Sequence, residues 1–291
     1  MAVALIMLAV QIVDGLARRS GPLPSIPQPN GYETLLAVAH EVSLPQGDMA
    51  DLTPDAIREI AKTNRLALER LHEAVRANTG VPIRIERDWM DNHVEDVKQL
   101  KRLAVTLGIQ ARAATLDGNT NGAARCMLDV VLLGQAIARG GLLFDGINSS
   151  AIEAIGAATL RTQVSYLDKT FCRAAAQELE QAETRREQPE RILTTEKDWS
   201  AANYGLIGRI GGYWLRKSQD KRKSEFMVRY KESMRRTRRL MLILAARSVE
   251  LETGKAVASS AELVPGVLRS VPTGPTTGAS ITGVAEIKTE R

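Results

Sequence analysis

Three histidines and two cysteines are the residues of this 291-residue chain best suited to acid–base, nucleophilic or metal chemistry. His40 and His72 have no thiol or carboxylate cluster beside them in the sequence, which indicates structural or surface positions. His93 is followed by Glu95 and Asp96, but a metal-binding helix places two ligands at i and i+4, and position 97 is valine. This segment therefore predicts helix capping rather than a metal site.

Both cysteines, Cys126 and Cys172, lie in apolar sequence and are predicted to be small core residues. Two cysteines so far apart exclude a disulfide-rich scaffold and a paired-cysteine zinc module. No nucleophile elbow, phosphate-binding loop, zinc-protease motif or calcium loop occurs. Residues 205–212, GLIGRIGG, lack the order of a dinucleotide-binding loop. We expect no cofactor and no metal, and the missing motifs favour a protein that is not an enzyme.

Aromatic residues and clustered cations come together in the last third of the chain. Residues 209–239, the basic segment, carry twelve Lys or Arg and three acids, so their net charge is +9 against +5 for the whole chain. Such a segment is typical of contact with an anionic membrane surface. Nucleic acid is disfavoured, because the aromatics lie to one side of the charge. The alternative is a solvated helix face that pairs with acids elsewhere in the molecule. The residues predicted to contact a membrane surface or a partner protein are Trp199, Tyr204, Tyr213, Trp214, Arg216, Lys217, Lys221, Arg222 and Lys223.

The elements that hold these residues are predicted to be helices throughout. Between Pro54 and Pro265 the sequence has only two prolines and is rich in Ala, Leu, Glu, Arg and Gln. Apolar positions recur with helical spacing, and no stretch alternates long enough for a sheet. The predicted helices are about 54–78, 93–116, 121–139, 142–162, 169–187 and 223–252. The fold class is therefore all-α.

The second and third predicted helices resemble one tetratricopeptide-type hairpin. Gly108 and Ala111 in the first helix, a tight Asp-Gly-Asn turn, and Ala124 with Leu128 in the second match the small and bulky positions of that motif. Small residues at these positions let two antiparallel helices approach closely. Because no 34-residue repeat is present, an ordinary helical bundle is favoured over a repeat array.

Residues 1–13, the leader, are MAVALIMLAVQIV and contain no charge and one polar side chain, Gln11. As a helix they would measure about 20 Å, short of the roughly 30 Å bilayer core. No basic segment precedes them and no cleavage site follows, which favours an uncleaved anchor. Because Arg18 and Arg19 follow the leader, the positive-inside tendency favours a protein body on the cytoplasmic side of the membrane. If a few basic and apolar residues preceded Met1, the body would lie on the outer side instead. A buried N-terminal helix is the alternative.

Four regions follow from these patterns. Residues 1–17 are predicted to be a membrane anchor, and 18–30, with four prolines, a stiff spacer that holds the body away from the membrane. Residues 31–264 are predicted to form the helical domain. Residues 265–291 are predicted to be an irregular, flexible tail.

Several stretches resemble a family of uncharacterised, membrane-anchored bacterial envelope proteins. They are the leader with its proline-rich spacer and PNGY, the central ARCMLDVVLLGQAIARGGLLFDGINSSAIEAIGAATL, and the C-terminal ELVPGVLRSVPTGPTTG. The last is similar in looser form to type II secretion pseudopilins. The resemblance covers most of the chain and implies a helical envelope protein with no established activity.

This chain departs from the family pattern at several positions. Gly274 stands where the pattern has an aspartate in the VPxDP turn, and GKAVASSAEL lacks its proline and leucine. Because carboxylates of this region help hold calcium in pseudopilins, a calcium site is not expected here. Arg18 and Arg19 follow the leader, whereas a prepilin cleavage site would precede it, so a pseudopilin role is disfavoured.

Taken together, the patterns predict a non-enzymatic, membrane-anchored scaffold or adaptor of the bacterial envelope that binds an unidentified protein. One alternative is a hydrolase whose site is assembled from dispersed acids and histidines. Another is a peptide-binding, tetratricopeptide-like module that uses the hairpin at residues 100–135.

Overall fold

The computed structural model describes residues 23–45, 49–86, 88–214 and 216–281, without the side chains of residue 50 and of residues 205–219. Nine α-helices form most of this part of the chain. The helices are α1 (Gly31–Glu41), α2 (Pro54–Thr63), α3 (Arg65–Ala74), α4 (Trp89–Leu116), α5 (Thr120–Ala138), α6 (Leu143–Gln163), α7 (Lys169–Thr184), α8 (Pro189–Trp214) and α9 (Arg216–Thr253). Within these residues the β pairing is one isolated bridge, between Thr273 and Ser280. The all-α prediction is confirmed.

Helix α5 is the central element of the bundle. Nearly every side chain from Ala123 to Ala138 is buried, because α4 packs against one side of α5 and α6 against another. Helix α9 packs on α6 and α7 and covers the far side of this core. The buried apolar side chains of these helices join into one large cluster, which also includes residues from α1 and α3.

Two glycines set the close approach of α5 and α6. A Cβ added at Gly156 would lie 2.8 Å from the carbonyl oxygen of Met127, and one added at Gly134 would lie 2.9 Å from that of Ser149. Distances this short mean that the two backbones touch, so only glycine fits at either position. The close pair is therefore α5 with α6, rather than the α4–α5 hairpin for which the sequence predicted it.

Local signals account for most helix ends. The side chains of Thr53, Asn119 and Asp168 accept hydrogen bonds from the first turns of α2, α5 and α7. The single helix predicted over 54–78 is wrong, because Asn64 divides it into α2 and α3. The Asn64 side chain instead pairs with both backbone groups of Ser43, accepting from N and donating to O at 2.8 Å each. Helix α8 was not predicted at all.

Residues 23–30, predicted to belong to a spacer that holds the body away from a membrane, lie against the helical body. Leu23 packs on the main core, and a Cβ at Gly140 would lie 3.4 Å from Pro24. Asn30 caps α1 and exchanges hydrogen bonds with both backbone groups of Gly80. The spacer interpretation is therefore wrong for these residues, because their side chains find partners on the body.

Specific contacts hold residues 265–281, the described part of the predicted C-terminal tail. Val267 and Leu268 are buried in the main core. The carboxylate of Glu180 accepts hydrogen bonds from the backbone of Arg269 and Ser270. A flexible tail is thus wrong for this part, because its backbone is bonded to α7.

None of the helices in the described ranges has the length and apolar character needed to cross a membrane. The anchor predicted over residues 1–17 lies outside the described residues.

Candidate functional sites

An apolar groove of about 520 Å³ opens between α4 and α6, with α5 as its floor. Its size falls within the roughly 300–1,000 Å³ of ordinary ligand pockets. The walls come from Ala104, Gly108, Ala111, Thr115 and Leu116 of α4 and from Ile155, Thr159 and Gln163 of α6; Met127 and Val130 form the floor, and Leu52, Pro54 and Ile57 close one end. Arg112 is the one charged side chain among these described lining residues.

The groove exists because the α4 wall carries small side chains. A Cβ added at Gly108 would meet no atom within 4 Å, so this glycine leaves open space instead of permitting close contact. The sequence correctly singled out Gly108 and Ala111 as small positions, but they create a concave surface. At the rim, Ile155 is 61% and Leu116 42% exposed. Exposed apolar side chains beside an apolar groove are typical of a surface that binds another apolar segment.

A second, more polar cleft of about 650 Å³ lies between α3 and α5 and is named here the His72 cleft. His72 Nδ1 lies 3.0 Å from Oδ2 of the buried Asp129. The other carboxylate oxygen, Oδ1, accepts a 2.7 Å hydrogen bond from Arg76 Nη1. When Nδ1 carries the proton that Asp129 accepts, the other imidazole nitrogen, Nε2, can act as a base. Arg76 Nη1 also lies 3.1 Å from Nδ1. Sequence patterns could not predict the His72–Asp129 pair, because 57 positions separate its members.

The cations around the His72 cleft are engaged with carboxylates. Glu178 accepts hydrogen bonds from Arg76 and, at 2.6 Å, from Arg125. Burial alone would raise the pKa of Glu178, but these two guanidinium groups outweigh it and hold the pKa below its usual value. Arg65 pairs with Glu69 at 2.8 Å. The cleft therefore holds a histidine–aspartate pair, and each guanidinium among its described lining residues, those of Arg65 and Arg125, has a carboxylate partner.

Cys126 also lines the His72 cleft, and its thiol is protonated at neutral pH. Burial and the nearby Asp129 carboxylate raise its pKa to about 12. Burial likewise raises the pKa of Cys172 to about 11. A core position is confirmed for Cys172, whereas Cys126 is partly exposed. Neither thiol is in the ionised form that a cysteine nucleophile requires.

His93 is buried in a separate aromatic cluster. Its Nε2 lies 2.7 Å from Asp145 Oδ1, and its ring stacks on Trp89 with 4.6 Å between centroids. The capping interpretation is wrong for this residue, because α4 begins four residues earlier, at Trp89. His40 is exposed on α1, as expected. Among the described residues, no group of three or more His, Cys, Asp or Glu side chains could hold a metal ion.

Trp199, predicted at a contact surface, belongs to the same aromatic cluster. It is 3% exposed, its ring centroid lies 5.7 Å from that of Trp89, and its Nε1 donates a 3.0 Å hydrogen bond to the carbonyl of Arg84. A buried and satisfied indole is not available to a membrane, so this part of the prediction is wrong. Tyr204, which packs edge-on against Trp199, is exposed.

The predicted cationic residues of α9 lie on the surface wherever the structure describes them. Lys221 and Arg222 are exposed, and Lys223 is partly exposed. The side chains of Tyr213, Trp214, Arg216 and Lys217 lie outside the described residues.

Further along α9, cations pair with acids. Lys231 lies 3.3 Å from Glu190, and Arg238 lies 2.7 Å from Glu183. The pairing alternative therefore describes part of the second half of the basic segment. Of the first half, the described cations Lys221 and Arg222 are exposed, and Lys221 Nζ lies 3.9 Å from Glu225 Oε1.

A fully buried ion cluster lies between α6, α7 and α9. Glu153 Oε1 accepts hydrogen bonds from Arg186 Nη2, from Gln135 at 3.0 Å and from Thr237 at 2.9 Å. Its Oε2 accepts from Arg186 Nη1 at 3.0 Å and from Ser233 at 2.5 Å. Burial alone would raise the pKa of Glu153, but the charge of Arg186 and these hydrogen bonds hold it below its usual value. The side chains of Glu153 and Arg186 are both about 1% exposed, so the cluster lies in the packed interior.

Comparison with protein-family models, curated proteins and solved structures finds no match to this chain.

Proposed function

We propose that this chain is a non-enzymatic, membrane-anchored adaptor of the bacterial envelope that binds an apolar helical segment of another protein. The observation that carries the proposal is the apolar groove, because a groove with exposed apolar rim residues and one cation suits an apolar segment. Residues 1–17 would supply the anchor. The resemblance to envelope proteins is consistent with this role.

The dimensions of the groove support a helical ligand. The α4 wall runs from Ala104 to Leu116, about 18 Å at 1.5 Å per residue. A helix of about three turns matches that length, and its residues at i, i+3, i+4 and i+7 would contact the floor. One face of the ligand would be buried against this floor, and the opposite face would stay in solvent.

Filling the groove tests the adaptor role. Gly108→Trp places an indole in space that holds no other atom within 4 Å of the added Cβ, so we expect α4 to fold normally. Val228→Trp, at a position that is 67% exposed on α9, is the matched control. Proteins that co-purify with the detergent-extracted chain should be lost with Gly108→Trp and kept with Val228→Trp. A peptide from one of them should then bind the purified wild-type chain at least tenfold more tightly than Gly108→Trp. Equal binding to both would contradict the proposal.

The anchor is tested separately in the full chain. The double substitution Leu5→Arg and Leu8→Arg puts two charges into the leader, each costing about 2.5–3.5 kcal/mol at the centre of a membrane helix. We expect the variant to leave the membrane fraction, while Leu5→Ile with Leu8→Ile stays in it. Retention of both would refute the anchor.

The first half of the basic segment would hold the body against anionic lipid. Lys221 and Arg222 are exposed, and each cation near such a surface contributes about 1 kcal/mol. Lys221→Gln with Arg222→Gln should reduce binding to phosphatidylglycerol vesicles about tenfold or more at low salt. Binding to phosphatidylcholine vesicles should not change. If the double variant binds both vesicle types as the wild type does, this surface has no lipid role.

A hydrolase is the second candidate, favoured by the position of His72 against Asp129 in an open cleft. In that role His72 Nε2 would take a proton from a water molecule as the water oxygen attacks an ester carbonyl carbon, and the alkoxide or phenoxide would leave. It ranks second because both thiols are protonated and the neighbouring guanidinium groups are engaged.

The enzyme hypothesis has its own measurement. If it holds, His72→Ala should lower p-nitrophenyl acetate hydrolysis at least tenfold, whereas His40→Ala, at an exposed histidine, should not. Equal rates for the two variants would attribute the hydrolysis to ordinary surface imidazoles and contradict the hydrolase hypothesis.

A further inference from the structure

We propose that the leader, residues 1–13 of the same chain, occupies the apolar groove when no membrane is present and is released from it by insertion into lipid. This inference rests on the proposed adaptor function and names a competitor for its groove. It would make partner binding conditional on membrane attachment.

The chain enters the described structure at a place from which the leader can reach the groove. Leu23 packs on the core, and Pro24 lies beside Gly140, just beyond the C-terminal end of α5. The groove floor, at Met127 and Val130, is about 15–20 Å away along the α5 axis. Residues 14–22 can span about 30 Å when extended. The connection is therefore long enough, with about 10 Å to spare for the path around the body.

The leader also matches the groove in length and character. As a helix its thirteen residues would measure about 20 Å, against about 18 Å for the α4 wall. It carries no charged side chain, and the groove presents only Arg112 among its described lining residues. An apolar ligand of this length would bury the exposed side chains of Ile155 and Leu116 at the rim.

The topology predicts the direction in which the leader would lie. Helices α4 and α5 are antiparallel neighbours, joined by the turn at Asp117–Asn119. Gly140 is consequently at the end of the bundle opposite that turn. A leader that extends from this end would place Val13 near Ala104 and Met1 toward Leu116, with Met7 close to Gly108.

Lipid would compete successfully for the same residues. The leader is apolar on all faces, and a groove open to solvent covers one of them. A bilayer buries every face, and apolar transfer is proportional to the area removed from water. Contact with membrane should therefore empty the groove, which a buried N-terminal helix of the core would not do.

Photocrosslinking of the full chain tests the inference. Benzoylphenylalanine replaces Met7, and the protein is illuminated in buffer and with vesicles of phosphatidylglycerol and phosphatidylcholine. In buffer we expect intramolecular crosslinks to groove residues around Gly108 and Met127. With vesicles present, the yield of these crosslinks should be at least fivefold lower. Gly108→Trp should reduce them at least fivefold, and Val228→Trp should not. Intermolecular crosslinks would assign the groove to a second copy, and crosslinks elsewhere would remove the leader from it; either result overturns the proposal.

A thermal double-mutant cycle provides an independent readout in the same buffer. Leu8→Asp should lower the Tm of the wild-type chain by about 2–4 °C, since it weakens docking by roughly 1 kcal/mol, and should have no effect in the Gly108→Trp background. Equal effects in both backgrounds would refute the docking. If the leader fails these tests but the partner peptide still depends on Gly108, the adaptor proposal survives. If instead the leader passes these tests but partner-peptide binding does not depend on Gly108, the adaptor proposal is contradicted and the docking of the leader stands.

Discussion

Replacing Glu153 by glutamine should destabilise the fold far more than any surface carboxylate substitution. The side chain is buried and its two oxygens accept five hydrogen bonds, two of them from Arg186. Glutamine has the same shape, so the substitution removes the charge and one pair of acceptor positions without creating a cavity. The measured loss will therefore report the ion pair and its hydrogen bonds.

The magnitude follows from what the amide can still accept. If the amide nitrogen takes the place of Oε2, the hydroxyl of Ser233 can rotate and accept a hydrogen bond from it, whereas Arg186 Nη1 is left facing a donor. Breaking a buried ion pair costs about 3–5 kcal/mol. Because Arg186 keeps Glu183 as a partner at 2.5 Å, we expect a value near the lower end, about 3 kcal/mol.

Chemical and thermal unfolding measure this loss. A decrease of about 3 kcal/mol in the free energy of unfolding corresponds to a fall in Tm of roughly 6–12 °C for a chain of this size. Glu69→Gln is the matched control, because Glu69 pairs with Arg65 at 2.8 Å with both side chains exposed. It should change the free energy of unfolding by about 0.5 kcal/mol or less. Equal effects for the two variants would refute the assignment of the cluster as a stabilising unit.

The pH dependence gives a second test of the same residue. The folded-state pKa of Glu153 is lowered, so its contribution is present above the unfolded pKa of about 4.3 and is lost as pH falls through the folded value. The stability difference between wild type and Glu153→Gln should therefore be constant from about pH 6 to pH 7 and shrink below about pH 4. A difference that grew on acidification would contradict the direction of the pKa shift.

Two further predictions concern glycines and thiols. Gly156→Ala should lower the free energy of unfolding by about 1–3 kcal/mol, because the added Cβ would lie 2.8 Å from a backbone carbonyl. Gly108→Ala should raise it by about 0.5–1 kcal/mol, because its site is open. Denaturant titration measures both variants, and changes of the same sign would contradict the prediction. Cys126 and Cys172, with pKa values of about 12 and about 11, should react with Ellman's reagent at least a hundredfold more slowly at pH 7.5 than in the denatured chain. Rapid labelling of either thiol in the native chain would contradict its raised pKa.

Local sequence was sufficient for most of the helices and several of their ends, although it missed α8 and the division between α2 and α3. Helical spacing of apolar residues, the capping side chains of Thr53, Asn119 and Asp168, and the turn at Asp117–Asn119 act over a few residues, and their effect can be predicted without the rest of the chain. The all-α fold class follows from the same signals. The break at Asn64 could not be predicted in this way, because its partner, Ser43, is distant in sequence.

The candidate sites depend on tertiary structure. Nothing in the local sequence distinguishes Gly108, which opens a groove, from Gly156, which brings two backbones together, since each lies within an ordinary helical pattern.

The same holds for charged and aromatic residues. His72 meets Asp129 across 57 positions, and Trp199 is covered by Trp89 from another helix. Spacing along one helix determines which residues share a face, but the face that is covered, left open or paired is decided by the helices that pack against it. For this protein, the sequence alone therefore determines the all-α class and most of the helices, whereas the groove, the cleft and the buried ion cluster arise from the packing of distant segments.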